Sequence, residues 1–136
     1  MYILLMLILV LRIIGTTSCL ALLAVVMPYE WMNAIHVWLG MGVLPQEPIV
    51  GYLARTLSAF YALYGALLWY LSFYTITYRP VIRALGFLTT GFGVILLGVD
   101  WSEGLPWFWK WFEGPFAIAY GILILILTKA PEAHPE

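Results

Sequence analysis

Charge is what this sequence has least of. Only 10% of its 136 residues are Asp, Glu, Lys or Arg, while 64% are hydrophobic and the mean hydropathy is +0.97. Soluble domains are about half apolar and about a quarter charged. The chain therefore lacks the polar surface that water demands, and its main solvent is lipid. A formal net charge of −1 gives nucleic acid no footing as a partner. Cysteine is nearly absent too. The lone Cys19 rules out an internal disulfide and any cysteine-cluster metal site. The two histidines, His36 and His134, stand far apart, with His134 in a polar tail. No metal or haem site is expected from them. Internal repeats, low-complexity runs and nucleophile–base pairings are missing as well. The sequence assigns no catalytic residue and requires no cofactor.

What is present is hydrophobic length. A bilayer core takes about 20 apolar residues as helix, and four stretches supply them. The first covers about 2–27 and stops at Pro28. The second covers about 49–73, behind Pro45 and Pro48. The third covers about 80–99, with Pro80 suited to a helix start. The fourth covers about 113–128, with room to extend back into a tryptophan-rich run, and Pro115 is expected near its first turn. The first stretch lacks a basic leader and is far longer than a signal-peptide core, so it reads as a retained helix.

Between the first two stretches lies PYEWMNAIHVWLGMGVLPQEP, with Trp31, Ile35, Trp38 and Leu39 at helical spacing and Glu30, Asn33 and His36 among them. It is too short and too polar to span, and reads as a helix over about 29–41 lying in the interface plane. The fold class is therefore all-α: a four-transmembrane-helix bundle with an interfacial amphipathic helix between helices one and two. It forms one membrane domain over 1–129, followed by a polar tail over 130–136.

Four spans put both termini and the 75–83 loop on one side, with Arg79, Arg83 and Lys129. The other side carries Glu30, Glu47, Asp100, Glu103 and Glu113, with Lys110 its one clear loop base. Counting bases places the first side in the cytoplasm, N-in and C-in. Arg79 and Arg83, one turn apart, are placed to grip lipid phosphates.

Small residues mark the helix faces that pack on protein. At about 100° per residue, Arg12, Gly15, Thr16 and Cys19 share a face of helix one, and Gly51, Arg55, Ser58, Ala62 and Ala66 one of helix two. Gly86, Thr90, Gly93 and Asp100 align on helix three, and Gly114, Ala117 and Gly121 on helix four. Arg12, Arg55 and Asp100 thus point towards protein. An unpaired charge in hydrocarbon is costly, so Arg55 should meet Asp100, Glu30 or Glu113, either as a structural lock or as part of a polar pocket. Arg12 has no acid at its own depth. It either snorkels to headgroups or pairs with Ser72, Thr89, a tyrosine, a lipid phosphate or another subunit. Cys19 reads as a packing residue.

The stretch VDWSEGLPWFWKWFEGP, Val99 to Pro115, holds four of the seven tryptophans. Trp101, Trp107, Trp109 and Trp111, with Trp31 and Trp38, read as interface aromatics at headgroup level. The acids flanking them are more informative. Asp100, Glu113, Glu30 and His36 around Arg55 form the candidate polar cluster on the outer side.

The order of elements, from the LRIIG opening of helix one, is similar to the small four-helix membrane proteins grouped loosely as DoxX-like. MPYEWMNAIHVWLGMG, YLARTLSAFYALYGALLWYL and YRPVIRALG resemble an uncharacterised bacterial family of that kind. The resemblance implies the four-helix architecture and a bacterial cytoplasmic membrane. Some DoxX relatives are linked with thiosulfate or quinone redox chemistry, which implies a bound quinone or lipid as one option, with Arg55 or His36 bonding a quinone carbonyl. The reading preferred from the sequence is a non-catalytic accessory or scaffold subunit. Its partners would be membrane lipids and other membrane subunits, or further copies of itself.

Overall fold

The computed structural model describes residues 2–129, and these are all-α. The expected tail, with His134, lies outside them. In chain order the helices are α1 (Tyr2–Cys19), α2 (Leu22–Val26), α3 (Tyr29–Trp38), α4 (Pro48–Phe73), α5 (Arg79–Ser102) and α6 (Trp107–Lys129). α1 and α2 form one slightly bent span, Tyr2–Val26. With α4, α5 and α6 it makes four helices long and apolar enough to cross a membrane. Together with the scarcity of charge, these helices identify a small integral membrane protein.

The bend has a local cause. Leu20 still bonds back four residues to Thr16, but Ala21, Leu23 and Ala24 reach back only three, to Ser18, Leu20 and Ala21. The Thr17 hydroxyl also donates to the Ile13 carbonyl at 2.9 Å. A tightened 3₁₀ step and a hydroxyl competing for a backbone acceptor both bend helices. The span then stops because Met27 is extended before Pro28.

The chain divides into two compact units. One is Leu11–Tyr70; the other holds the chain up to Val10 and from Leu71 onward. In the first unit, α1–α2 and α4 run antiparallel and touch backbone to backbone at Gly15 and Gly65. A Cβ on Gly65 would stand 2.6 Å from the Gly15 carbonyl oxygen and 2.8 Å from the Cys19 nitrogen. Only glycine permits that approach. The contact runs through Gly65 rather than the neighbouring Ala66, which is exposed, while Gly51 faces open space.

In the second unit α5 and α6 form an antiparallel hairpin with a longer seam. Gly93 lies against the backbone of Gly114 and Ile118, Gly121 against Gly86 and Thr90, and Gly86 against Ile124 and Leu125. A Cβ on Gly93 would come within 2.7 Å of the Ile118 nitrogen. These are the faces expected on helices three and four.

Three helix boundaries differ from the sequence expectation: α3 ends at Trp38 rather than near 41, where Gly40 and Gly42 turn the chain back. α5 continues past Val99 to Ser102, so Asp100 lies inside the helix and is buried. α6 begins at Trp107 rather than near 113, so Pro115 sits in its interior. Pro106 supplies the carbonyl for the first turn, accepting from Trp109 and Lys110 at 3.0 and 3.3 Å. Proline removes one interior donor, a loss that membrane helices tolerate. α5 is closed by Gly104 at φ 68°, with Gly104 N–H bonded to Trp101 and Leu105 N–H to Asp100. This is the Schellman arrangement that glycine favours.

Candidate functional site

In the Leu11–Tyr70 unit, Arg55 is the central group. It stands on the second turn of α4, beside the end of the first span. Its Nη1 donates to the Val25 carbonyl at 2.6 Å and its Nη2 to the Met27 carbonyl at 3.0 Å. The last carbonyls of a helix have no partner within it, and Pro28 brings no N–H to help. A cation there also suits the negative end of the helix dipole. The sequence predicts a carboxylate beside this guanidinium, whereas its two bonds hold the backbone that ends the first span. Glu30, the candidate acid of the same unit, is exposed.

Arg12 is half-buried, and its guanidinium lies over the Trp69 ring, 5.3 Å from the centroid. The Trp69 indole N–H donates to Thr16 Oγ1 at 3.0 Å, which fixes the ring on α1. Cation–π attraction strengthens where water is scarce. The aromatic face thus supplies part of what no acid at that depth could.

His36 belongs to a strap that closes α3 onto the return segment behind it. Its Nδ1–H donates to the Gly42 carbonyl at 2.8 Å, a carbonyl being able only to accept. Leu44 is held twice: its N–H donates to Asn33 Oδ1 at 2.8 Å, and its carbonyl accepts from the Tyr29 hydroxyl. Gly40 at φ 75° and Gly42 at φ 80° turn the chain back for these bonds. Tyr29, Asn33 and His36 therefore share one fastened face of α3. Trp31, Ile35 and Trp38 stand on another and are exposed, Trp38 by 82%. That exposed stripe is the apolar face expected of an interfacial helix.

In the other unit, Asp100 is 2% exposed and its Oδ2 has no hydrogen-bond partner among the described residues. Lys110 lies over the ring of Trp101, its Nζ 4.8 Å from the centroid. Glu113 accepts from the indole N–H of Trp109, one turn earlier on α6. Trp107 and Phe108, and then Phe108 and Trp109, meet edge to face at 6.2 and 6.4 Å. Since this run is helical, the tryptophans spread around α6: Trp107 and Trp111 are exposed, and Trp109 is half-buried. Among the described residues no group of three or more His, Cys, Asp or Glu could hold a metal ion.

Two structural roles had no clear sequence signal. The Asn33–Leu44–Tyr29 strap joins side chains to backbone, and backbone acceptors carry no residue code. Arg79, at the start of α5, donates from Nε to the Thr128 carbonyl at 3.2 Å. It ties the last turn of α6 as Arg55 ties the end of the first span. No family model, curated protein or solved structure matches the chain.

Proposed function

We propose that this protein is a non-catalytic accessory or scaffold subunit of a larger membrane complex, set N-in and C-in in a bacterial cytoplasmic membrane. The observation that supports this reading is the use made of its few polar groups. Arg55 holds the carbonyls of Val25 and Met27, Arg79 that of Thr128, and His36 that of Gly42. Groups that could have bonded a substrate brace backbone instead. The aromatic stripe of α3 and the exposed Trp107 and Trp111 supply surface of the kind that anchors interfaces.

A second reading, a quinone- or lipid-binding protein of DoxX-like type, draws on one observation. The buried Oδ2 of Asp100, without a hydrogen-bond partner among the described residues, is an acceptor that a quinol hydroxyl would satisfy.

One purification distinguishes the two. The tagged chain, isolated in mild detergent, is sized by native mass spectrometry, and its organic extract is assayed for quinone. The subunit reading expects a defined hetero-complex that dissociates when Trp107 and Trp111 are both changed to alanine. A homogeneous species carrying stoichiometric quinone, lost in Asp100→Asn, would overturn it in favour of the second.

A further inference from the structure

The α5–α6 hairpin is electrically lopsided. Its antiparallel register, fixed by the Gly93–Gly114 and Gly86–Ile124 contacts, brings the start of α5 beside the end of α6. That end carries Arg79, Arg83 and Lys129. No Asp or Glu occurs between Leu71 and Val99, or between Gly114 and Lys129. The next acids along the chain, Glu132 and Glu136, lie outside the described residues. All four acids and bases at the opposite end (Asp100, Glu103, Lys110, Glu113) are two dozen or so ångströms away along the helices, at about 1.5 Å per residue. Within its own hairpin the basic end is beyond the roughly 8 Å reach of a screened charge in physiological salt.

The three bases also differ in how they are held. The Nε of Arg79 is fixed on the Thr128 carbonyl, which anchors its guanidinium at the foot of α6. Arg83, one turn further along α5, and Lys129 are exposed. Beside them stand Tyr74 and Tyr78, edge to face at 6.0 Å, aromatics of the kind found where a span leaves the hydrocarbon. The result is one anchored and two exposed cations at the end of two candidate spans, where a bilayer crossed by these helices would bring its headgroups.

We propose that the Arg79–Arg83–Lys129 end of the α5–α6 hairpin binds the headgroup of an anionic phospholipid. The phosphodiester meets the guanidinium groups, which present paired donors to phosphate oxygens. The net negative charge of the lipid answers a patch with no acid among the described residues of its own end. A zwitterionic headgroup brings the same phosphate with a cation attached, which this end repels. The proposal concerns lipid and holds whichever reading of the protein's role is correct.

The test titrates the full chain in detergent with phosphatidylglycerol, phosphatidylcholine or inorganic phosphate, counting bound lipid by native mass spectrometry. Phosphatidylglycerol is expected to bind in preference to phosphatidylcholine, and more weakly as salt is raised. The R83Q/K129Q double variant leaves the Arg79–Thr128 bond in place and so keeps the hairpin tied. It should lose affinity about fivefold for each charge removed, while Lys110→Gln at the other end should bind as the unaltered protein does. Equal binding of the two lipids, or full affinity in R83Q/K129Q, overturns the proposal. So does inorganic phosphate that displaces the lipid at equal concentration, since the site would then be a phosphate site and not a headgroup site.

Discussion

Arg55 concentrates the cost and the use of charge in this protein. Its two bonds to Val25 and Met27 close the end of a span whose next residue, Pro28, cannot donate. Removing the guanidinium leaves two carbonyls without it and a hole beside them. Arg55→Leu should therefore destabilise the protein by about 2–3 kcal/mol, read as a lower thermal midpoint in detergent, with Arg55→Lys recovering part of the loss. Unchanged unfolding in Arg55→Leu would show that the bonds contribute nothing. The sequence made Arg55 visible, because a charge on a small-residue face is conspicuous. Its acceptors were not visible, because a backbone carbonyl looks alike under every residue. Pro28 was the one hint that acceptors would be left over there. Asp100 is the converse: its burial followed from its place in the Gly86–Thr90–Gly93 register, and its unpartnered oxygen could not be read from any spacing.

At the scale of the helix, glycines that look alike in the sequence separate into two kinds. Gly93, Gly114 and Gly121 sit where a neighbouring backbone occupies the place of a side chain; at Gly91 and Gly98 on the same α5 a Cβ would have nothing within 4 Å. Gly93→Ala should loosen the hairpin, since the atoms it would strike are backbone and cannot step aside. Gly91→Ala and Gly98→Ala should be neutral or stabilise by up to about 1 kcal/mol, the helix-propensity gain of alanine. Thermal unfolding of the three variants side by side checks this, and equal midpoints would refute the seam. Spacing found this seam because α5 and α6 repeat their small residues every seven positions. It missed Gly65 because Ala62 and Ala66 drew the face one residue around α4. The start of α6 was obscured for another reason: Pro115 reads as a first-turn residue, yet Pro106 had already opened the helix.

For the molecule as a whole, four spans place Tyr78 and Glu103 at opposite ends of α5. With Cys19 changed to serine, Tyr78→Cys and Glu103→Cys should be labelled by a membrane-impermeant maleimide from opposite faces of the bilayer. Labelling of both from one face would remove α5 from the set of spans. The number of spans was legible because apolar length is written directly in the sequence. The role of the protein was not, because its polar side chains are too few to repeat a known chemical pattern. The spans also have a bearing on bilayer thickness. At about 1.5 Å per residue, the Tyr2–Val26, Pro48–Phe73, Arg79–Ser102 and Trp107–Lys129 helices of 25, 26, 24 and 23 residues reach roughly 35 to 39 Å. A typical hydrocarbon core is about 30 Å. The other three helices must tilt or carry their terminal aromatics and arginines out among the headgroups. The first span has a third means of adjustment: its 3₁₀ step at Leu20 and Ala21 is a joint at which it can fold away excess length. In a thinner bilayer the mismatch is expected to be taken up there first, seen as a larger bend at Leu20–Ala21 than in a thick one.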